Sequence, residues 1–476
     1  MLTAKEHERT GCSMKPAKQA RPFGIRDKIG YLFGDFGNDF TFILSSSFLL
    51  KFYTDVMGVS AAIVGVIMMI ARFVDAFTDV AMGRLCDRSA VTEAGKFKPW
   101  IRRMSIPVAV ASFLIYQSGM VRYSMPVKVA YLFLTYILWG SVLYTAVNIP
   151  YGSMASAISD DPDDRQSLST YRTMGGMLAG VVIGAGVPVL AYDQVDGNMV
   201  MNGPRFTVIA GVFSVLAVLC YALCYVLTTE RVRPGKRENA TRKSVGALFM
   251  QAVRNRALIS IIVASVLMLL SQLTMQSMAN FVYPNYYGSA TAQASSTLVM
   301  MLGMLIAAAT VRPLSKRFGK AEVSVAANFL AAAVCLALYL IRPSNVWVYV
   351  AFQGLCWLGL GVFSMVTWAL ITDVIDHSEV VTGVREDGSV YAMYSFARKL
   401  GQAAAAGLSG FLLTMIGYTQ ETAFEPRVRE GIFNIATLLP GVGFLLLALV
   451  LWLWYPLKKH KVDENVAVLR SRRQLP

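Results

Sequence analysis

Long apolar stretches alternate with short polar breaks along almost the whole chain. A helix that crosses the hydrocarbon core of a bilayer needs about 20 mostly apolar residues. Runs this long satisfy their backbone polar groups in lipid as helices, so we predict an all-α membrane protein and exclude a β-barrel. The twelve predicted spans are residues 29–57, 61–84, 100–121, 126–153, 168–191, 206–228, 257–287, 293–314, 321–341, 345–376, 389–418 and 431–456.

The longest polar break separates the spans into two sets of six. It contains many Lys and Arg residues, and short basic turns at 83–88 and 312–320 occupy corresponding places in the two sets. Parallel six-helix repeats are typical of secondary transporters with the major facilitator fold. The predicted organisation is an N-terminal tail 1–28, an N-terminal half 29–228, a linker 229–256, a C-terminal half 257–456 and a C-terminal tail 457–476.

The composition supports the membrane assignment. Of the 476 residues, 55% are hydrophobic and 15% are charged, whereas soluble domains contain about 25% charged residues. No pattern of cysteines typical of a disulfide framework or a zinc site is present. Motifs of nucleotide-binding proteins, metalloproteases and serine hydrolases are also absent from the sequence, so we expect neither an enzyme nor a cofactor.

The net charge of +15 would suggest an anionic partner such as nucleic acid in a soluble protein. The distribution of the basic residues along the chain instead indicates how the protein is oriented in the membrane. About three quarters of the 44 Lys and Arg residues fall in the tails and in the loops on the same side as the tails. We therefore predict cytoplasmic termini, a bacterial inner-membrane location and no nucleic-acid partner. The opposite loops contain only Arg122, Lys128, Arg205, Arg342, Arg427 and Arg429.

Two spans of the first half contain acidic residues at membrane depth, where ionisable groups mark functional sites. Asp35 and Asp39 share one face of the first span. Asp39 lies about 16 Å along that helix, which favours a functional role, whereas Asp35 is close enough to the tail to reach the interface.

The second span contains a charged stripe formed by Arg72, Asp75 and Asp79. Carboxylates one turn apart repel each other when both are ionised, and a bound cation or a shared proton relieves the repulsion. A single Arg cannot neutralise two carboxylates, so a Na⁺ or H⁺ site is favoured over a structural salt bridge.

Basic residues occur in corresponding spans of the two halves. Arg172 in the fifth span and Lys399 in the eleventh are candidates for binding an oxygen-rich or anionic ligand, and each precedes small residues that allow close packing. For Arg398 the alternative is a side chain that extends to the interface.

Two other features of the spans suggest functional roles. Asp373 and Asp376 at the end of the tenth span form either a gate between the halves or a solvated helix end. Tyr151, Trp368 and Tyr391 are the aromatic candidates for stacking on a sugar ring.

Together these segments resemble the glycoside–pentoside–hexuronide:cation symporters, a sugar-transporting branch of the major facilitator superfamily. The resemblance covers almost the whole chain in order, which makes it more specific than any single motif. The matching stretches are residues 28–39, 53–56, 71–79, 95–100, 148–153, 383–388 and 395–402.

The resemblance implies a role for individual residues. Asp75, Asp79 and Thr145 match the site of the coupling cation, and Na⁺ is a candidate there. Asp39 and Arg172 match sugar-binding residues, and Lys399 matches a lysine near both the sugar and the cation sites, so it is a further candidate for sugar binding. Tyr151 lies in the same matching stretch as Asn148.

The sequence departs from the melibiose carriers at three positions. Asn148, Gly152 and Asn38 replace an Asp, a Trp and a Lys of those carriers, and the pattern looks more like that of the glucuronide carriers. A neutral Asn148 removes negative charge near Arg172 and Lys399, so a carboxylated sugar becomes more acceptable there.

We therefore expect a secondary active symporter in which H⁺ or Na⁺ drives the uptake of a glycoside or hexuronide, such as a glucuronide. The expected partners are the sugar, the monovalent cation and membrane lipid, and we expect a monomer. Two alternatives stay open at this point. One is a transporter of another solute class, such as a pentoside, an amphipathic lipid or a drug, and the other is a non-transporting membrane protein.

Overall fold

The computed structural model describes residues 21–232, 255–383 and 387–474. Within these ranges, twelve long helices, α1 to α12, follow one another along the chain, and a shorter helix, α13, follows α12. The bounds of α1 to α13 are Ile25–Asp55, Ala61–Arg88, Lys98–Ile115, Met125–Ile158, Pro162–Ala191, Gly203–Leu227, Arg256–Tyr286, Ala290–Phe318, Lys320–Ile341, Val346–Thr382, Asp387–Met415, Pro426–Trp454 and Lys459–Gln474.

The structure confirms the prediction of an all-α membrane protein. Within the described ranges, nine of these long helices are apolar enough to cross a membrane. The other three are α1, α3 and α11, whose charged and hydroxyl residues make them more polar. Each overlaps a predicted span, and the count of twelve crossings stays a prediction. A short antiparallel hairpin of β1 (Tyr192–Val195) and β2 (Asn198–Met201) joins α5 to α6.

Several helices extend beyond the apolar stretch from which they were predicted. The fifth span was expected to begin at residue 168, but α5 begins at Pro162. There the Asp161 side chain accepts hydrogen bonds from the backbone N–H groups of Asp163 and Asp164, and Pro162 has the φ that the first turn requires. Hydropathy shows only the apolar part of a helix, so a polar first turn of this kind escapes it.

Residues 95–98, which lead into α3 and include its first residue, bind an acidic side chain that follows α6. The Glu230 carboxylate accepts hydrogen bonds from the backbone N–H groups of Lys96, Phe97 and Lys98, at 2.6, 2.9 and 2.7 Å. Gly95 has a φ of +116°, and a Cβ there would collide with the Glu230 carboxylate. This contact fixes the end of α6 against the start of α3.

The two halves meet along three pairs of helices, α1 with α7, α2 with α11 and α5 with α8. Small residues bring the second pair together, because a Cβ at Gly65 would lie 3.1 Å from both the Ala406 carbonyl oxygen and the Gly410 Cα. We call the side that contains Ile25 and Trp454 the terminal side, and the opposite side the distal side. Gly65 and Gly410 lie toward the distal side, where α2 begins and α11 ends.

A fully buried lysine links the halves at the distal side. The Lys51 ammonium lies 2.6 Å from the Asp55 carboxylate and donates hydrogen bonds to Asn285 Oδ1 at 2.5 Å and the Tyr418 hydroxyl at 2.8 Å. It also lies 4.6 Å from the centre of the Phe281 ring. Because Lys51 belongs to α1 and its uncharged partners belong to the other half, this cluster closes the distal side.

We expect Lys51→Met to weaken this closure, since the substitution removes the ammonium that joins Asp55 to Asn285. Removing one partner of a buried ion pair costs about 3–5 kcal/mol. The measurement is the rate at which a cysteine placed at Ser47 reacts with a bulky thiol reagent added from the distal side, in a background without the native cysteines.

Lys128→Met is the matched control, because Lys128 is also on the distal side but donates only to the Met57 carbonyl within its own half. We expect faster labelling with Lys51→Met and the parent rate with Lys128→Met. Equal labelling rates in the two variants would contradict the role of Lys51 in closure.

Candidate functional site

The carboxylates of Asp75 and Asp79 each bind a hydroxyl group from α4. Ser141 Oγ donates to Asp75 Oδ1 at 2.5 Å, and Thr145 Oγ1 donates to Asp79 Oδ1 at 3.0 Å. Residues 138–144 of α4 form a π-helical segment, and such segments are frequent at functional sites. The structure therefore brings together the three predicted cation-site residues and adds Ser141.

Two basic side chains neutralise the same carboxylates. Arg72 Nη1 lies 3.2 Å from Asp75 Oδ2, and Lys399 Nζ lies 2.5 Å from Asp79 Oδ2. The expectation that one Arg faces two carboxylates was wrong, because Lys399 reaches Asp79 from α11 in the other half. All four charged side chains of this cluster remain partly exposed, which leaves them open to exchange of partners.

Asp35, Arg172 and Tyr151 form a second cluster within the first half. Arg172 Nε donates to Asp35 Oδ1 at 3.0 Å, and its guanidinium lies 5.2 Å from the centre of the Tyr151 ring. Tyr151 is 1% exposed, stacks on Tyr31 with ring centres 4.6 Å apart and donates its hydroxyl to the Tyr31 carbonyl. In this conformation Tyr151 has no free face for a sugar, and it positions Arg172.

Asp39 lies beside this cluster. Its side chain makes neither a hydrogen bond nor an ion pair with another residue of the described ranges, so the carboxylate is available to a ligand. A Cβ at Gly176 would lie 2.7 Å from Asp39 Oδ2 and 3.1 Å from Asp35 Oδ2. The absence of a side chain at Gly176 therefore gives both carboxylates their room.

The two clusters are connected by aromatic side chains. Phe42, one turn after Asp39 on α1, lies 5.1 Å from the Arg72 guanidinium, measured to the ring centre. Its ring also stacks on Tyr144, with centres 5.5 Å apart, and Tyr144 directly precedes Thr145. The carboxylate pair and the Arg172 cluster thus adjoin one another around α1 and α4.

Three other residues singled out from the sequence, Asn148, Asp373 and Asp376, take no part in the two clusters. Asn148 is half-buried on α4, and its side chain makes no hydrogen bond to any residue in the described parts of the chain. Asp373 pairs with Lys320 of its own half at 2.6 Å. Asp376 is not without an interaction partner either. A gate between the halves at Asp373 and Asp376 stays a prediction.

A cavity of about 410 Å³ lies between the two halves. Both halves contribute polar side chains to its wall, among them Arg72, Gln272, Gln276, Arg398 and Gln402. Sequence reasoning missed the three glutamines. The signal was present, since Gln272 and Gln276, like Arg398 and Gln402, are spaced by one helical turn and share a face.

Comparison with known proteins now identifies the fold and the family. The sequence model of the family described as MFS/sugar transport protein matches residues 30–459. The chain belongs to this family. It is therefore a multi-pass membrane transporter for sugars, in agreement with the resemblance found from its motifs, and not an enzyme.

Individual proteins agree with this family assignment. The glucuronide carrier protein homolog of Escherichia coli K12 is 30% identical over 452 residues, which are 94% of this chain and 96% of that protein. A candidate sulfoquinovose importer of Salmonella typhimurium LT2 is 30% identical over 460 residues, 94% of this chain and 93% of that protein.

A solved structure confirms the major facilitator fold. The bacterial homolog of the human lysosomal transporter Spinster, in its inward-facing and unoccupied conformation, superposes with a TM-score of 0.65 at 13% identity. The match covers 93% of this chain and 99% of that one. At this identity the likeness concerns the fold alone.

A shallow apolar groove on the outside of the bundle has a different character from the cavity of this transporter. It is lined only by apolar residues of α2 and α4, such as Ile63, Val66 and Phe133. Lipid chains fill grooves of this kind on membrane proteins, so the groove adds nothing to the polar site between the halves.

Gly176→Ala tests whether Asp39 contacts the transported sugar, because the added methyl group displaces the Asp39 carboxylate. We expect sugar affinity, measured by binding to the purified transporter, to fall roughly tenfold, which corresponds to one hydrogen bond to a charged group. Gly186→Ala on the same helix is the control, since a Cβ there meets open space. Parent affinity in Gly176→Ala would contradict a role for Asp39 in sugar binding.

Proposed function

We propose that this transporter is a symporter that uses a gradient of H⁺ or Na⁺ to take up a glycoside or hexuronide, such as a glucuronide. The observation that carries the proposal is the carboxylate pair Asp75 and Asp79, each held by a hydroxyl group of α4 and by a basic side chain. No cofactor takes part in this scheme. A single chain in lipid binds both the sugar and the cation.

Carboxylate and hydroxyl oxygens are the ligands that suit a small hard cation. Asp79 and Thr145 supply two such oxygens beside the Lys399 ammonium, and Asp75 and Ser141 supply two more beside the Arg72 guanidinium. In the proposed cycle, Na⁺ or H⁺ takes the place of a basic partner at one carboxylate. The protein cations thus neutralise the site when the coupling ion is away, which lowers the cost of carboxylates at membrane depth.

The site for the sugar is proposed around Asp39, Asn148 and Arg172, beside the cavity between the halves. Carboxylate and amide oxygens accept hydrogen bonds from sugar hydroxyls, and the Arg172 guanidinium, 39% exposed, donates to sugar oxygens. Two relatives carry names of acidic sugars, since a glucuronide has a carboxylate and sulfoquinovose has a sulfonate. This supports an acidic sugar as the substrate here.

The proposed orientation gives the side of the membrane that the sites face in this conformation. The excess of Lys and Arg on the terminal side supports cytoplasmic termini in a bacterial inner membrane. The distal side then faces the outside, and its closure by Lys51 leaves the sites facing the cytoplasm, where sugar and cation are released. Rocking of the halves about the sites would expose them to the outside.

The experiment that tests the proposal is sugar uptake into vesicles with Asp75→Asn. We expect exchange of sugar down its gradient to survive, because the amide preserves the shape of the side chain, whereas accumulation driven by the ion gradient disappears. Separate H⁺ and Na⁺ gradients identify the coupling ion. Asp160→Asn, which changes an exposed carboxylate in the loop before α5, is the matched control and should accumulate sugar like the parent.

Two results would overturn the proposal. An Asp75→Asn variant that concentrates sugar with the parent's ion dependence would remove Asp75 from the cation site. A parent whose sugar uptake responds to neither gradient would show that the transporter works by facilitated diffusion or by exchange.

A further inference from the structure

Almost every Lys or Arg side chain at membrane depth in the described part of the bundle is paired with an Asp side chain. An unpaired charge at membrane depth is costly, and pairing it with a carboxylate lowers that cost. Within the spans the pairs are Lys51–Asp55, Arg72–Asp75, Arg172–Asp35 and Lys399–Asp79. Each of these basic residues is therefore neutralised by the protein itself.

Arg398 departs from this pattern. Its guanidinium has neither an acidic partner nor a hydrogen bond within residues 21–232, 255–383 and 387–474. Its contacts are with the rings of Trp368 and Tyr394, whose centres each lie 5.8 Å from the guanidinium carbon. Aromatic faces hold and orient a cation without neutralising it. Arg398 lies about 16 Å along α11, so a place at the start of the helix does not account for it.

The surroundings of Arg398 are those of a ligand site. Arg398 lines the cavity between the halves together with Gln402, one turn further along α11, and with Gln272 and Gln276 of α7. None of the three glutamine side chains hydrogen-bonds another residue in the parts of the chain that the structure describes. The Arg398 guanidinium, which has no acidic partner in the described residues, and three glutamine amide groups without hydrogen bonds to those residues thus line the same wall.

We propose that Arg398 binds the acid group of the transported sugar, so that the substrate is a sugar carrying one carboxylate or sulfonate. The inference rests on the proposed sugar transport and adds the residue that recognises the charge. The guanidinium fork matches an oxyanion with two parallel hydrogen bonds. Arg172 and Lys399, which sequence reasoning favoured for this task, already hold Asp35 and Asp79.

The charged residues of the first half are compatible with this orientation of the sugar. Arg72 lines the cavity but is paired with Asp75. Asp39 lies one turn before Phe42 and Ile43, which line the cavity from the first half. In the proposed binding mode, the acid group meets Arg398 and the rest of the sugar extends toward the first half, where its hydroxyl groups can donate hydrogen bonds to the Asp39 carboxylate.

The test compares three ligands that differ at C6 of the sugar, namely a methyl glucuronide, a methyl sulfoquinovoside and the neutral methyl glucoside. Binding to the purified transporter and uptake into proteoliposomes are measured for the parent, Arg398→Gln and Arg398→Lys. We expect the parent to prefer at least one acidic ligand. Arg398→Gln should weaken binding of that ligand roughly tenfold to a hundredfold and leave binding of the glucoside unchanged.

Arg398→Lys keeps the charge but loses the fork, so we expect it to retain part of the preference and thereby show that the site is folded. Arg122→Gln, which changes an exposed arginine on the distal side, should keep the parent preference. A parent that prefers the glucoside, or an Arg398→Gln variant that keeps the acidic preference, overturns this inference while sugar transport stands. A parent that takes up none of a wider panel of sugars overturns the proposed function and this inference with it.

Discussion

Charge neutralisation at membrane depth is the constraint on which the rest of this structure depends. Each of these ion pairs also joins particular helices. Lys51 and Asp55 hold the distal ends of the two halves together, and Lys399 reaches across the interface to Asp79. Arg172 and Asp35 join α5 to α1 within the first half. Ion pairs thus contribute to the contact between the halves and to the closure of the distal side, together with the close packing of α2 on α11.

The architecture was largely predictable from the sequence, because a membrane span is a local signal. Runs of about 20 apolar residues place the helices without knowledge of their neighbours, and the polar first residues of helices such as α5 were missed because they carry no hydropathy signal. The sequence also shows that the spans differ in hydropathy. Of the three helices that fall short of the criteria for a span, α1 and α11 contain Asp39 and Lys399, respectively, and α3 contains neither.

The site was predictable only in part, because its decisive contacts join residues far apart in the chain. The i, i+4 spacing of Asp75 and Asp79 indicated a paired site, and the family resemblance supplied Thr145. Nothing local shows that Lys399 reaches Asp79, 320 residues away. The π-helical segment that presents Ser141 has no signature in residue types either. Tyr151, an aromatic candidate for sugar stacking, is covered by Tyr31 and Arg172, which only the packing of α1, α4 and α5 reveals.

The adjacency of Arg398 and Lys399 gives a physical route for coupling. Neighbouring residues of an α-helix point about 100° apart, so one helix presents Arg398 to the cavity and Lys399 to Asp79 in the other half. In the proposed cycle, a cation that takes the place of Lys399 at Asp79 breaks this link between the halves and frees α11 to move. An anionic sugar on Arg398 acts on the same helix. Each ligand then alters the energy of the state that the other binds, and by linkage the cation must tighten the sugar as much as the sugar tightens the cation.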